Sequence, residues 1–221
     1  MVRIIDCVQQ SEEWERWRNR PTASEFGKFI TPARGDYSAQ ATGYAAKIVA
    51  KRLGVYTEPP PTFWMEWGIE HEPNAAHAYK IQTGREITPA GFILPDNTDA
   101  YGGSPDGLVG DDGLIEIKCP APETLITYHA SGELPVQYRP QIQGLLLISG
   151  RAWCDFFVFH PELTPFLLRV EPDEKYQAKL AKGLLLLLGE IERIELCVQR
   201  QRHELVSVGT IKHKVRFDDD E

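Results

Sequence analysis

The pattern of apolar and polar positions predicts that the first third of the chain is helical. Apolar residues recur at helical spacing over residues 11–18, 38–53 and 63–83, and Gly54 and Gly84 follow the second and third of these segments. The run Thr22–Glu25 has the pattern of a capping box, so we expect a further helix to begin there. Pro73 lies inside the third segment and predicts either a kink or the start of a new helix at that point.

The middle of the chain changes to the pattern of strands. Residues 85–94, 100–108 and 114–119 predict three strands separated by turns. Residues 136–148 predict a helix, residues 153–159 and 166–170 two more strands, and residues 173 to about 202 a long closing helix. This order predicts an α/β (α+β) fold in which helices flank a central mixed β-sheet. No linker-like stretch divides it, so we expect a single domain over residues 1–210 and an acidic, flexible tail over residues 211–221.

Charge and composition narrow the class of protein. The net charge of −8 disfavours a protein that coats nucleic acid, although an enzyme with a local basic lining remains compatible with it. The four cysteines are scattered without a CxxC pair, which indicates reduced thiols rather than a disulfide framework or a zinc cluster. The first residues do not form a signal peptide and no apolar run could span a membrane, so we expect a soluble cytoplasmic protein.

One short segment carries a set of side chains suited to hydrolysis. Side chains alternate between the faces of a strand, so Glu116 and Lys118 share one face while Ile115 and Ile117 share the other. A turn before this strand allows a hairpin that brings Asp106 opposite Glu116. Two converging carboxylates select Mg²⁺ or Mn²⁺, and a lysine on the same face can position or deprotonate a water. The spacing predicts metal-assisted phosphodiester hydrolysis, but it leaves open a plain turn followed by a solvated ion pair.

Several ordered motifs resemble one family of nucleases. Pro105-Asp106, nine residues, and then Glu116-Ile117-Lys118 matches the PD-(D/E)xK nuclease pattern. The longer string around it resembles the phage lambda exonuclease family of viral-type alkaline exonucleases. Further motifs that are similar to this family follow in matching order over roughly residues 11–190. They are Trp14…Arg18…Thr22–Glu25, Trp67–Glu72…Ala75, Tyr138–Gln143 and Asp173–Tyr176. The resemblance implies a restriction-endonuclease-like core.

The resemblance also implies roles for the catalytic residues. Asp106, Glu116 and the main-chain carbonyl of Ile117 would bind the catalytic metals, which are expected to be two Mg²⁺ ions with Mn²⁺ as a substitute. Lys118 would orient or activate the attacking water, and as a base it would need a depressed pKa, which metal charge could supply. Glu72 would anchor Lys118 or a metal-bound water. Gln141 matches an active-site glutamine, whose amide can bridge a metal-bound water and a phosphate. Asp96, with Asp99 as the alternative, would support the metal ligands without binding the metal itself.

A second group of residues is implied to bind the DNA end. Arg18, Ser24 and Ser104 match a pocket for a 5′-terminal phosphate, with Arg34 as a weaker fourth candidate. Met65 matches an apolar wedge that separates the strands. Simpler roles stay open: helix capping for Ser24, a place in the core for Met65, and surface positions for Glu72 and Gln141. We expect the aromatic cluster around Met65, over residues 63–67, to lie in the core.

The function implied by the resemblance is a Mg²⁺-dependent exonuclease. It would degrade double-stranded DNA from ends, preferably 5′-phosphorylated ones, in the 5′-to-3′ direction. It would release mononucleotides and leave a 3′ single strand for a single-strand annealing protein. Family members form a ring-shaped homotrimer, so the same assembly is expected here. The alternatives are another deoxyribonuclease of this superfamily, such as an endonuclease or a RecB-like nuclease, and a non-catalytic DNA-binding protein on the same fold.

Overall fold

The computed structural model of the protein describes the backbone of residues 2–207 and the side chains of residues 2–201. The predicted acidic tail over residues 211–221 lies outside the described residues. The elements in chain order are β1 (Arg3–Ile5), α1 (Glu12–Trp17), a 3₁₀ helix (Ala23–Lys28), α2 (Ala41–Arg52), α3 (Phe63–Thr83), β2 (Phe92–Leu94), β3 (Gly107–Val109), β4 (Gly113–Lys118), α4 (Pro122–Ser131), a 3₁₀ turn (Val136–Tyr138), α5 (Arg139–Ser149), β5 (Trp153–Val158), β6 (Phe166–Val170) and α6 (Glu174–Ser207).

The main sheet has four strands in the order β3-β4-β5-β6. The central strands β4 and β5 are parallel, whereas β3 and β6 are antiparallel to their neighbours. Parallel neighbours require a crossover connection, and α4 and α5 provide it between β4 and β5. Strands β1 and β2 form a separate antiparallel pair. The prediction of a mixed sheet flanked by helices is therefore confirmed.

Alternation along the central strands sends side chains into two buried clusters. Leu114 and Phe156 join a large cluster that also contains residues from the first 3₁₀ helix, α2, α5 and α6. Ile115, Ile117 and Phe157 join a smaller cluster together with residues of α3. Since the period of a strand is two residues, β4 packs against helices on both faces. Its last residues, which carry the candidate chemistry, therefore lie between two helical layers.

Helix α3 has the predicted bounds, but its first turns do not lie in the core. It begins after Thr62, whose hydroxyl accepts a hydrogen bond from a backbone N–H, and it ends at Gly84 in the left-handed conformation with φ of 69°. It continues through Pro73, so no new helix begins there. Its buried residues are Ala75 and Tyr79, both in its second half. Residues 63–65 are 46–66% exposed, so the prediction that they lie in the core is wrong. The physical reason is that α3 contacts β4 and β5 through its later turns.

Other elements differ from the prediction because tertiary contacts replace local ones. The run Thr22–Glu25 begins a 3₁₀ helix without a side-chain cap. The Thr22 N–H donates to the hydroxyl of Tyr44 instead of to Glu25, and the carboxylate of Glu25 pairs with Lys28 and Lys47.

The structure also contains β1 and α4, which the pattern did not predict. Pro122 at the first turn of α4 and Gly132 just after it are typical signals of a helix.

The strands predicted over residues 85–94 and 100–108 are much shorter than expected. Only β2 and β3 form ladders, and isolated bridges pair Gly102 with Thr22 and Gly103 with Ile93. A Cβ at Gly102 would lie 2.3 Å from the ring of Phe92, so the backbone passes too close for a side chain.

No helix in the described part of the chain is long and apolar enough to cross a membrane.

Candidate active site

Asp106, Glu116 and Lys118 meet at the end of the β3–β4 hairpin that lies away from its turn. Gly107 pairs with Ile115, so the register of the two strands places Asp106, one residue before β3, opposite Glu116. The Oδ2 atom of Asp106 accepts a hydrogen bond of 2.5 Å from the backbone N–H of Ile117. The Lys118 ammonium donates to Oε1 of Glu116. The turn and the alternation along β4 predicted this arrangement.

Glu116 is a buried acid with one oxygen held and one left without a partner. Its side chain is 1% exposed. Its Oε1 atom accepts from Lys118 and from Nε2 of Gln141 on α5, while Oε2 is buried and has no hydrogen-bond partner among the described residues. Burial and the nearby charge of Asp106 raise the pKa of Glu116 to about 8. The charged form of this carboxylate is therefore unfavourable in the protein alone.

The residues present fit a divalent cation. Burial also raises the pKa of Asp106 above its ordinary range, so both acids would be stabilised in their charged forms by a dication beside them. Within residues 2–201, no group of three or more His, Cys, Asp or Glu side chains lies close enough to hold a metal by itself. An ion at Asp106 and Glu116 would therefore need main-chain, water or phosphate oxygens as further ligands. Mg²⁺ is commonly bound in this way.

Lys118 is an ammonium in the protein alone. Burial lowers its pKa, but the carboxylates of Glu116 and Asp106 outweigh burial and raise the pKa above its ordinary value. The ammonium also lies 5.7 Å from the ring centroid of Tyr138. In this state Lys118 can donate hydrogen bonds to a phosphate oxygen or to a water, but it cannot accept a proton. The depressed pKa required of a lysine base is absent without further positive charge nearby.

A cavity of 460 Å³ opens on one side of these residues. Glu72, Asp106 and Lys118 contribute ionisable groups to its lining, and Trp64, Met65, Gly68 and Ile69 from the first half of α3 contribute an apolar part. Burial, followed by repulsion from Asp106, raises the pKa of Glu72 to about 7. Glu72 is thus close enough to sense the charge of the candidate metal ligands. Met65 lies at the rim and is 58% exposed.

A smaller cavity of 220 Å³ opens on the other side of Asp106 and Lys118. Arg18, Ser24 and Ser104 line it, together with Glu116 and Gln141. The two cavities share Asp106 and Lys118, so the candidate catalytic groups lie between a cluster of hydrogen-bond donors and the apolar wall of α3.

Trp14 holds two of the donors of the smaller cavity, a role that the sequence pattern did not predict for it. Its indole N–H donates to the hydroxyl of Ser104 at 2.6 Å, and the guanidinium carbon of Arg18 lies 4.4 Å from its ring centroid. Gln9 has a related role: its amide donates to the carbonyl of Pro105, directly before Asp106. Trp14 belongs to a recognisable motif, whereas nothing in the sequence around Gln9 points to the site.

Three of the residues proposed from the sequence lie away from both cavities. Arg34 is exposed, and its Nε atom lies 3.2 Å from a carboxylate oxygen of Asp36. Asp96 is exposed in the turn after β2. The alternative, Asp99, pairs with Arg3. The structure thus brings together Asp106, Glu116, Lys118, Glu72, Gln141 and the donors of the smaller cavity, and leaves these three residues outside.

This combination of fold and site defines a nuclease: a mixed sheet whose hairpin presents an aspartate, a glutamate and a lysine between two helical layers. The chain belongs to the YqaJ-like viral recombinase domain family, whose model matches residues 13–152. Among curated protein sequences there is no significant match.

Solved structures agree with this assignment. The chain is similar to an alkaline exonuclease, LHK-Exo, from Laribacter hongkongensis, with 33% identity and a TM-score of 0.80 over 88% of this chain and 100% of that chain. A complex of LHK-Exo with dAMP matches equally well. A phage-related exonuclease from Haemophilus somnus 129PT shares the fold, with 13% identity and a TM-score of 0.59 over 79% of this chain and 94% of that one.

Proposed function

We propose that the protein is a Mg²⁺-dependent exonuclease that degrades one strand of double-stranded DNA from its 5′ end. It releases mononucleotides and leaves a 3′ single strand that an annealing protein can use in recombination. The observation that carries this proposal is the buried carboxylate of Glu116, which lines the smaller cavity opposite Asp106 and has one oxygen without a partner among the described residues. Similarity to an alkaline exonuclease supports the reaction class, and the dAMP complex of that relative supports a mononucleotide product.

Asp106, Glu116 and the carbonyl of Ile117 would hold Mg²⁺, with two ions expected and Mn²⁺ as a substitute. A bound dication supplies a water of lowered pKa and neutralises charge on the phosphate. Lys118 donates to a phosphate oxygen or to the attacking water, and a bound dication would oppose the rise in its pKa that the two carboxylates cause. Gln141 keeps Glu116 in place through its amide, and Glu72 orients Lys118 or a water in the larger cavity.

The smaller cavity would hold the terminal 5′-phosphate. Arg18 offers a planar fork that matches phosphate oxygens, and Ser24 and Ser104 add neutral donors. Because Asp106 and Lys118 border this cavity as well as the larger one, a strand whose end occupies it would have its next phosphodiester close to the carboxylates. That arrangement supports removal of nucleotides from the 5′ end, with Met65 as the wedge between the strands. Arg34 is left out of this proposal because it pairs with Asp36 away from the cavity.

The proposal also includes a ring-shaped homotrimer, a single-strand annealing protein as partner, and a location in the cytoplasm. The trimer and the annealing partner both come from the family resemblance. A ring is compatible with the net charge of −8, since only the channel that holds the DNA would need to be positive. Light scattering on the full chain tests the assembly, and a mass other than that of three chains would contradict it.

The test of the function compares three duplex substrates with Mg²⁺: linear DNA with 5′-phosphate ends, the same DNA with 5′-hydroxyl ends, and a covalently closed circle. We expect rapid release of mononucleotides from the first, slower release from the second and none from the circle. Arg18→Ala should reduce the preference for 5′-phosphate, whereas Arg16→Ala, an exposed arginine on the same helix outside the cavity, should not.

Cleavage of the circle at the rate of linear DNA would show an endonuclease and contradict the proposal. Equal rates on both kinds of end would remove the phosphate-binding role of Arg18, Ser24 and Ser104 while leaving the hydrolytic site in place. Release of label from the 3′ end before the 5′ end would contradict the proposed polarity.

A further inference from the structure

The first half of α3 presents an apolar surface at the mouth of the larger cavity. Four large side chains in this segment are between 46% and 66% exposed, and we call them the α3 rim: Phe63, Trp64, Met65 and Ile69. Three of them line the cavity that also contains Glu72, Asp106 and Lys118. A contiguous exposed apolar surface beside a hydrolytic site is unusual on a soluble protein and indicates a binding surface.

The rings of the α3 rim are held in place by other rings. Trp64 makes edge-to-face contacts with Phe63 at 5.1 Å and with Trp67 at 6.1 Å between ring centroids. Trp67 in turn stacks on His71 at 3.7 Å. Trp64 is therefore braced by aromatic contacts although it is 46% exposed. A ring ordered before its ligand arrives loses little freedom on binding.

Gly68 leaves a gap on the helix face between Trp64 and Glu72. Residues four apart lie on the same side of a helix, so Trp64, Gly68 and Glu72 follow one another along the wall of the cavity. A Cβ placed at Gly68 would have no heavy atom within 4 Å, which shows that the space beside the helix is open. Along this wall the ring of Trp64 is followed by open space beside Gly68 and then by the carboxyl group of Glu72.

The charge of this wall favours nucleobases over the phosphate backbone. From α3, the lining of the cavity receives one ionisable side chain, that of Glu72, and residues 63–72 include no lysine or arginine, so this wall offers phosphate groups no positive partner. An aromatic ring stacks on the face of a base, and inside a duplex those faces are covered by neighbouring base pairs. The accessible faces are the outer face of the terminal pair and those of an unpaired base. An unpaired base fits the α3 rim better, because Trp64 lines the same cavity as Asp106 and Lys118, and such a base binds by stacking without regard to its identity.

We propose that Trp64, together with the open space beside Gly68, is a stacking site for an unpaired nucleobase. This base belongs to the strand whose phosphodiester lies at Asp106 and Glu116. This inference rests on the proposed function, because it takes DNA as the ligand of the larger cavity. It adds a base-binding surface to a site otherwise built to hold phosphates. The site holds a base of this strand in the larger cavity after the base has left the duplex, while the 5′ end of the strand lies in the smaller cavity.

The test measures binding in the absence of divalent metal, so that no cleavage occurs. The probes are labelled duplexes with two unpaired 5′-terminal nucleotides, either with their bases or as abasic nucleotides, and the signal is fluorescence anisotropy. We expect the wild type to bind the base-bearing end about 10-fold more tightly than the abasic end. Trp64→Ala should bind both ends equally, and Trp64→Phe should retain most of the preference.

Gly68→Leu provides a variant that fills the gap without disturbing the fold. Leucine is a better helix former than glycine and meets no atom here, so thermal stability should stay the same or rise. The preference for the base-bearing end should nevertheless fall as in Trp64→Ala. The matched control is Ile81→Ala, which removes a 71% exposed side chain near the other end of α3 and should leave binding unchanged.

A wild-type preference that survives in Trp64→Ala would overturn the stacking site. A change in molar mass in Trp64→Ala, with base-dependent binding intact, would also overturn it and assign the α3 rim to contacts between copies of the chain. The proposed function is judged separately by cleavage of linear duplex with Mg²⁺. A wild type that cuts DNA but shows no base preference contradicts only the stacking site, whereas base preference without cleavage contradicts only the nuclease.

Discussion

Replacing Glu116 by glutamine isolates the energetic consequence of burying this acid. In the metal-free protein, burial and Asp106 raise the pKa of Glu116 from an ordinary value of 4.5 to about 8. The folded state therefore keeps a proton that the unfolded chain releases, so the free energy of unfolding falls as pH rises from about 4.5 to about 8. The full effect corresponds to about 5 kcal/mol at most. Glutamine does not titrate, and its Oε1 can accept the same hydrogen bonds from Lys118 and Gln141.

The assay is urea denaturation in EDTA at several pH values for wild type and Glu116→Gln. We expect the two proteins to have similar stability at pH 5, and the variant to be more stable by about 2–5 kcal/mol at pH 8. Added Mg²⁺ should stabilise the wild type at pH 8 and have a much smaller effect on the variant, because ion binding to the folded state adds to stability. A difference between the two proteins that does not change from pH 5 to pH 8 would refute the reasoning.

Two further predictions concern groups around the site. Trp14→Phe removes the hydrogen bond to Ser104 but keeps a ring, so kcat/KM on 5′-phosphorylated ends should fall about 5-fold with little change on 5′-hydroxyl ends; an equal fall on both ends would contradict this. Asp155 is 2% exposed in its side chain and accepts two hydrogen bonds from Arg169 and one from Tyr79. Arg169→Ala should therefore lower the free energy of unfolding by about 3 kcal/mol and Tyr79→Phe by about 1.5 kcal/mol in urea titrations. Equal losses would show that the charge of Arg169 is not what stabilises the buried acid.

The parts of the fold that local chemistry determines could be predicted from the sequence. The alternation along β4 and the turn before it were sufficient to place Asp106 opposite Glu116, because register in a hairpin follows from the turn and the apolar face. The bounds of α3 followed from its periodicity and from Gly84. Ordered motifs then identified Gln141 and the donors of the smaller cavity, which lie far apart in the chain but meet at Asp106 and Lys118.

The parts that depend on tertiary contacts could not be predicted. An aromatic run such as residues 63–67 has the composition of a core. Trp67 does pack against the smaller buried cluster, but residues 63–65 stay exposed because the buried residues of α3 lie in its second half. Thr22 and Glu25 are the residues of a capping box, but their side chains do not form its hydrogen bonds. The Thr22 N–H donates to the hydroxyl of Tyr44, and the carboxylate of Glu25 accepts from Lys47. Arg34 was a weaker candidate for the phosphate pocket, but its guanidinium pairs with Asp36, two residues further along the chain.

The most direct test of the account is the activity of Lys118→Ala on linear 5′-phosphorylated duplex with Mg²⁺, measured as release of mononucleotides. Lys80→Ala is the matched control, since that lysine is 54% exposed and pairs with Glu86 at the surface. We predict that Lys118→Ala lowers kcat by about 10²- to 10⁴-fold with its fold intact, while Lys80→Ala stays at the wild-type rate. Wild-type release of mononucleotides by Lys118→Ala would contradict the assignment of the catalytic site to Asp106, Glu116 and Lys118.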